Sequence, residues 1–240
     1  MRERFADRDP IRIKHPEVPN EDALAWFSRA AGKLRTLWLS RTYPFATFAK
    51  GAWTHYSFHV TRAAAPFISI GAGVGFGRDV RLEVCQSVGT QVPALILDAG
   101  SGLQRRCVIS ARNRIHVMRN VIFGPSVLVT DHRRDATSEA DANGFTQDTG
   151  GGTIRIEEEC WIGFGATIVC EKGELIVGRH SVVGANSVVR KSVPSYSVVS
   201  GDPAKIVRQY DFSKQKWVLG CVRTTDIEKG EAAGDAKTSE

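Results

Sequence analysis

No apolar run in this sequence approaches the roughly 20 residues that a helix needs to cross a bilayer, so no membrane-spanning helix is expected. The five cysteines, Cys85, Cys107, Cys160, Cys170 and Cys221, are odd in number and form no C-x-x-C pair. Neither a disulfide framework nor a zinc ribbon is suggested, and a reducing cytoplasm is the natural setting. The N-terminus is too acidic and polar for a secretory signal. Methionine (2) and tyrosine (4) are scarce while glycine (23) is a little high, which suits many short strands and sharp corners better than a helical bundle.

What is present is a chain of 240 residues, 42% hydrophobic and 24% charged, long enough to bury a core of one large domain or two small ones. The formal charge of +6 fits an anionic partner. Nucleic acid, an anionic lipid surface and a phosphorylated small molecule all satisfy that condition. Part of the charge lies in Arg2, Arg4, Arg8, Arg12 and Lys14, ahead of any hydrophobic pattern, where a solvated arm is expected.

Residues 1–67 read as an N-terminal extension. The first 20 carry Pro10, Pro16 and Pro19 and are expected to be extended. From Asn20, a plausible cap, to about Leu39, the residues Leu24, Trp26, Phe27, Ala30, Ala31, Leu34, Leu37 and Trp38 recur at helical spacing, with Arg29, Lys33, Arg35 and Arg41 interleaved. This basic amphipathic helix is expected to pack its apolar face on the main domain. The alternative is contact with an anionic membrane surface, the inner face for a cytoplasmic protein. Residues 43–66 are aromatic and irregular, and no element is assigned to them.

From Ile68 a different period appears. Leu97, Leu103, Ile109, Ile115, Val121 and Val127 stand six apart with no polar interruption. Ile156, Ile162 and Ile168 repeat the spacing, which resumes after a short insertion, Glu171 to Glu174, as Val177, Val183 and Val189. Fragments occur earlier at Val74 and Val80. Six is the period of neither a helix nor a simple strand, and it marks a solenoid. Each hexad would form one flat side of a triangular coil, its aliphatic residue pointing inward. Glycine after it (Gly75, Gly163, Gly178, Gly184) would relieve the backbone at the corner. Coils would stack at ~4.8 Å, three hexads per turn, for about five turns over residues 68–208. An antiparallel sandwich with glycine-rich turns is the competing architecture, but it has no reason to hold a fixed spacing of six.

Two segments break the register: Gln86 to Ala94, and a long polar excursion from Thr130 to Thr153. Loops on a rigid scaffold are where sites concentrate. Residues 209–240 are expected to form a short helix followed by a disordered tail from Thr224.

Three ordered motifs lie on the repeat: Cys160-Trp161-Ile162-Gly163-Phe164-Gly165-Ala166-Thr167-Ile168, then Val183-Gly184-Ala185-Asn186-Ser187-Val188-Val189, then Val198-Val199-Ser200-Gly201-Asp202-Pro203-Ala204-Lys205. Together they resemble the hexapeptide-repeat O-acetyltransferases that modify sugars, including galactoside, maltose, capsule and exopolysaccharide acetyltransferases, over roughly residues 68–210. The resemblance implies an all-β, left-handed parallel β-helix with acetyl-CoA as co-substrate and no metal. It implies a homotrimer with active sites between neighbouring coils, a sugar or glycan acceptor and no nucleic acid. It also implies that His132, in Val129-Thr130-Asp131-His132, is the catalytic base. Chemistry reaches the same residue, because acyl transfer to a hydroxyl needs a group that removes its proton, and imidazole suits that task near neutral pH. The expected route is direct transfer without a covalent acyl-enzyme, a backbone N–H stabilising the oxyanion.

For coenzyme A the resemblance points to the backbone at Phe164 and Ala185 along the pantetheine arm, and to Arg190, Lys191, Lys205 and Arg208 near the phosphates. Cations on a rigid edge hold phosphates well on general grounds. Phe164 departs from the small residue often found there. The acceptor pocket of galactoside-type relatives is not reproduced in Ile109-Ser110-Ala111-Arg112-Asn113-Arg114, where Ser110 and Asn113, with Asp131, are the candidates for acceptor contact. Arg112 and Arg114 would suit an anionic acceptor or simply be solvated. Asp131 is not expected to orient His132, since neighbouring side chains often point apart. Three other readings are weighed: a zinc carbonic anhydrase on the same coil, for which His116, His55, His59 and His180 are too scattered; a non-catalytic binding solenoid; and N-acetylation of an amino sugar.

Overall fold

The computed structural model describes residues 23–85, 93–132 and 151–220. The expectations for the arm, its cap Asn20, the bulk of both excursions and the tail lie outside the described residues.

The described strands form three sheets, which the chain visits in fixed rotation. One coil runs through Leu95–Leu97 in the first sheet, Gly102–Leu103 in the second and Val108–Ala111 in the third, then returns to the first at Arg114–Val117. Each of these strands pairs in parallel with those of neighbouring coils. The fold is a left-handed parallel β-helix with one N-terminal helix.

Coil formation begins earlier than the sequence suggests. Thr47–Phe48, Trp53–Thr54 and His59–Val60 already pair with the coil that follows, stacking Phe48 on Ile70, Thr54 on Phe76 and Val60 on Leu82. The pattern was hidden because one inward position is the polar Thr54, which is 2% exposed.

The six-residue step holds from the first sheet to the second to the third: Leu97–Leu103–Ile109, Val117–Phe123–Val129, Ile156–Ile162–Ile168 and Val177–Val183–Val189 stack in register. The extra residues fall on the return from third sheet to first. The series read from Leu97 to Val127 therefore changes column after Ile109: Val117, not Ile115, stacks on Leu97. All six residues of that series are buried nonetheless, since a side of the prism can turn alternate residues inward, as Ile115 and Val117 do. Each such aliphatic side chain contributes roughly 1.5–3 kcal/mol by leaving water.

Glycine at the hexad has a different role from the one expected. Left-handed backbone at the corners is carried largely by non-glycine residues, Asp79, Arg106, Asn120, Ser126, Glu159, His180, Asn186 and Tyr196, with φ between 53° and 59°. Gly163 is instead required by close approach: a Cβ there would lie 2.7 Å from both the Ala185 nitrogen and the Val183 oxygen of the next coil.

Both ends of the stack are covered, as open sheet edges require. The helix Ala23–Thr42 lies against the first coil. It does not dock through its apolar stripe: Phe27, Leu34, Leu37 and Trp38 stay exposed. The docking face is Ser28, Gly32, Thr36 and Leu39, because the edge strand offers polar groups. The Thr36 hydroxyl accepts from Thr54 N–H at 2.9 Å, and a Cβ on Gly32 would meet the Thr54 oxygen at 2.8 Å. At the other end Lys205–Asp211 runs antiparallel to Ser197–Ser200 and to Lys216–Leu219. This hairpin replaces the short helix expected after residue 208.

Candidate active site

The corner between third and first sheets carries the chemistry. Because Leu82, Ile109 and Val129 stack, the residues that follow them also superpose: Cys85, Arg112 and His132 share one column. Cys85 is fixed there by its N–H, which donates to the Ala111 carbonyl at 2.8 Å. Arg190 and Lys191 follow Val189 at the same corner two coils further on.

Asp131 is fully buried, and its carboxylate accepts the backbone N–H groups of Arg112 (2.7 Å), Asn113 (2.8 Å) and Arg114 (2.9 Å). The two residues inserted at this return turn those amides onto one point. Oδ1 of Asp131 also lies 3.0 Å from Nδ1 of His132. A carboxylate only accepts, so Nδ1 carries the proton and the lone pair is on Nε2. The Thr130 hydroxyl donates to the His132 carbonyl at 2.9 Å and lies 3.3 Å from Nδ1, bracing the ring further. Nε2 faces the thiol of Cys85 at 3.5 Å.

This arrangement revises the reading of Asp131 twice. Adjacent in sequence, it nevertheless meets the imidazole, because the bend at Asp131 turns both side chains to the same corner. It is also not placed to touch an acceptor, since its oxygens are spent on four donors. Asn113 is likewise committed, its amide donating to the Gly151 carbonyl at 2.6 Å, while Gly152 N–H donates to the Asp131 carbonyl at 2.7 Å. The two residues pin the far end of the long excursion beside His132. Ser110 is 8% exposed and donates to Glu83 at 3.4 Å, in a row with Thr130 on the third sheet. Cys85, Thr130 and Glu83 were missed in the sequence. The signal for Cys85 is its register: it stands three places after Leu82 as His132 stands three after Val129.

Of the residues expected at coenzyme A, Phe164 and Ala185 are exposed on consecutive coils at the corner between second and third sheets. Lys205 and Arg208 are exposed on the closing hairpin, and Arg190 pairs with Glu171 at 3.6 Å. These positions therefore flank the third sheet from both corners rather than forming one cluster. Among the described residues no three His, Cys, Asp or Glu side chains converge as metal ligands, and His116 pairs with Asp98 at 2.9 Å on the first sheet. A cavity of about 280 Å³ lined by Met118, Glu157, Glu158, Arg179 and Ser195 sits at a different corner. No described helix is long and apolar enough to cross a membrane.

No protein-family model matches the chain. Among curated proteins it is similar to one from Escherichia coli (strain K12) named for O-acetyl transfer in lipopolysaccharide biosynthesis, 28% identical over 45% of this chain and 57% of that protein. It is also similar to the galactoside O-acetyltransferase of Lactococcus lactis, 28% identical over 42% of this chain and 46% of the relative. The matches thus span about half the length of these relatives. Among solved structures, AntD, an N-acyltransferase from Bacillus cereus seen with dTDP and 3-hydroxybutyryl-CoA, superposes with a TM-score of 0.56 at 14% identity, covering 85% of this chain and 95% of that one. The D94A variant of AntD gives 0.58 at 15% identity, covering 84% and 95%. The resemblance to hexapeptide-repeat acetyltransferases therefore holds in sequence, and the fold is that of an acyltransferase coil.

Proposed function

We propose that this protein is an acyltransferase that moves an acetyl group from acetyl-CoA to a hydroxyl of a sugar or cell-surface glycan precursor, with His132 as general base. The observation that carries this reading is the imidazole at the insertion corner, its Nδ1 proton held by a buried carboxylate and its Nε2 lone pair turned outward. That ring can take the proton of an attacking hydroxyl and return it to the departing thiolate. The relatives named for acetyl transfer to galactosides and lipopolysaccharide support the donor and the sugar acceptor. Exposed Phe164 and Ala185 offer an apolar track for the pantetheine arm, and Arg190, Lys191, Lys205 and Arg208 supply cations for the phosphates.

In this reading the enzyme works as a homotrimer, a neighbouring copy closing the exposed third sheet. The exposed Phe27, Leu34 and Trp38, interleaved with Arg29, Lys33 and Arg35, suit peripheral contact with an anionic inner-membrane surface, where glycan precursors are held. Glu83, beside Ser110 below the histidine, favours a second reading in which the acceptor is an amino sugar and the product an amide. AntD binds dTDP-4-amino-4,6-dideoxyglucose, an acceptor of that kind.

The test is thiol release from acetyl-CoA across a panel of sugars and nucleotide sugars. Wild type is expected to release thiol with at least one acceptor, and His132→Ala to be slower by about 10²–10⁴-fold. Product mass after mild alkali separates ester from amide. Equal background rates for both proteins across the panel would leave a non-catalytic solenoid.

A further inference from the structure

We infer that Cys85 is a second catalytic residue, which with His132 and Asp131 forms a thiol–imidazole–carboxylate relay that takes the acetyl group from the thioester before the acceptor receives it. The inference rests on the acyltransferase reading above and divides its single transfer into two.

The geometry is that of an activated nucleophile. Cys85 Sγ lies 3.5 Å from His132 Nε2, the ring nitrogen that carries the lone pair. The other nitrogen is held 3.0 Å from Asp131, whose orientation three backbone N–H groups fix. Nucleophile, base and orienting carboxylate in hydrogen-bond sequence are the parts that covalent acyl transfer requires. The thiol is held by the scaffold, since Cys85 closes the strand Arg81–Val84 and is bonded through its N–H to the coil above.

The other described thiols lack this setting. Cys107 and Cys160 lie inside the prism, where burial pushes them up to about 11 and about 12. Cys170 is turned toward the carbonyls of Lys172 and Gly173. Cys85 alone among the described thiols is half-buried and faces an imidazole. Any hydroxyl that approaches Nε2 must also share that nitrogen with a better nucleophile.

The steps balance without a further reagent. The Cys85 proton passes to Nε2, and the thiolate attacks the carbonyl carbon of acetyl-CoA to give a tetrahedral intermediate. The bond to the coenzyme sulfur breaks, and that thiolate takes the proton back from Nε2. The acetyl group now rests on Cys85 as a thioester, so the acyl bond has kept its free energy. The acceptor O–H or N–H then gives its proton to Nε2 and attacks the Cys85 thioester, and the Cys85 thiolate leaves and is reprotonated.

Isotope exchange between acetyl-CoA and labelled free CoA, with no acceptor present, tests this on the full chain. Wild type is expected to exchange label, and acid-quenched protein is expected to carry one acetyl group at Cys85 that hydroxylamine removes. Cys85→Ser and Cys85→Ala are each expected to lose exchange by about 10²-fold or more. Because exchange and adduct are both read on wild type, the outcome does not depend on how either variant folds. Transfer to an acceptor with no exchange and no adduct overturns the relay and leaves the acyltransferase reading standing, as does Cys85→Ala working at the wild-type rate. Absence of exchange, adduct and transfer together overturns both.

Discussion

A carboxylate with no exposed surface needs donors, and Asp131 has four: three backbone N–H groups and the imidazole of His132. An amide in its place has one oxygen and an N–H₂ that cannot accept. Asp131→Asn is therefore expected to leave at least one buried N–H unpaired, at about 1–3 kcal/mol, and to loosen the tautomer on which Nε2 depends. Acceptor-dependent turnover should fall by roughly 10²–10⁴-fold with the KM for acetyl-CoA little changed, whereas a purely structural role would lower the Tm alone. Steady-state kinetics beside thermal melting separates the two. His132 was legible in the sequence because it opens the one long break in a regular repeat. Asp131 was legible as a neighbour but not as a partner, since the three converging amides come from Arg112, Asn113 and Arg114 one coil away. Cys85 becomes visible only when the columns are aligned, and that needs the two-residue slip after Ile109.

The hexad itself was plain, because a period of six survives a change of column: both inward positions of a side are buried, so either one satisfies the pattern. What the spacing could not reveal was why glycine recurs within it. The corner hypothesis and the close-approach geometry predict opposite ranks for two glycines. Neither Gly163 nor Gly102 has left-handed backbone, yet a Cβ at Gly163 meets backbone atoms of the next coil at 2.7 Å, and at Gly102 it meets nothing within 4 Å. Gly163→Ala is expected to destabilise by about 1–3 kcal/mol, since the opposing atoms are backbone and cannot swing aside. Gly102→Ala should lie within about 0.5 kcal/mol of wild type. Urea midpoints of the two variants check this, and similar midpoints would return glycine to the corner. The helix Ala23–Thr42 teaches a related lesson. Its stripe was read as apolar, but the edge strand at Thr54 presents hydrogen-bonding groups, so Ser28, Gly32 and Thr36 dock and Phe27, Leu34 and Trp38 are left exposed.

A stack in which each coil rests on the next has its stability limited at both ends of the pH scale by groups in different places. At the closing hairpin, Asp211 is held down to about 2, from an ordinary 3.8, by the Ser213 hydroxyl and then the Lys214 N–H. Its contribution is present above 3.8 and is lost as pH falls toward 2. Inside the prism the sign reverses. Cys107 and Cys160 hold their protons to about 11 and about 12, against an ordinary 9.0, because the charged form cannot be solvated there. Below pH 9 the folded and unfolded chains are equally protonated at these thiols, and their contribution is fully present. Between 9 and 12 the unfolded chain releases protons that the folded chain keeps, so stability falls, by on the order of 3 kcal/mol per thiol at the upper limit. Tyrosine and lysine titrate in the same interval, so the thiols are isolated by difference. Cys107→Ala with Cys160→Ala is expected to be less stable than wild type at pH 8, from the cavities left. It should nevertheless lose less stability than wild type between pH 8 and pH 11. Parallel urea-midpoint curves for the two proteins over that interval would mean that the interior thiols do not set the alkaline limit of the coil.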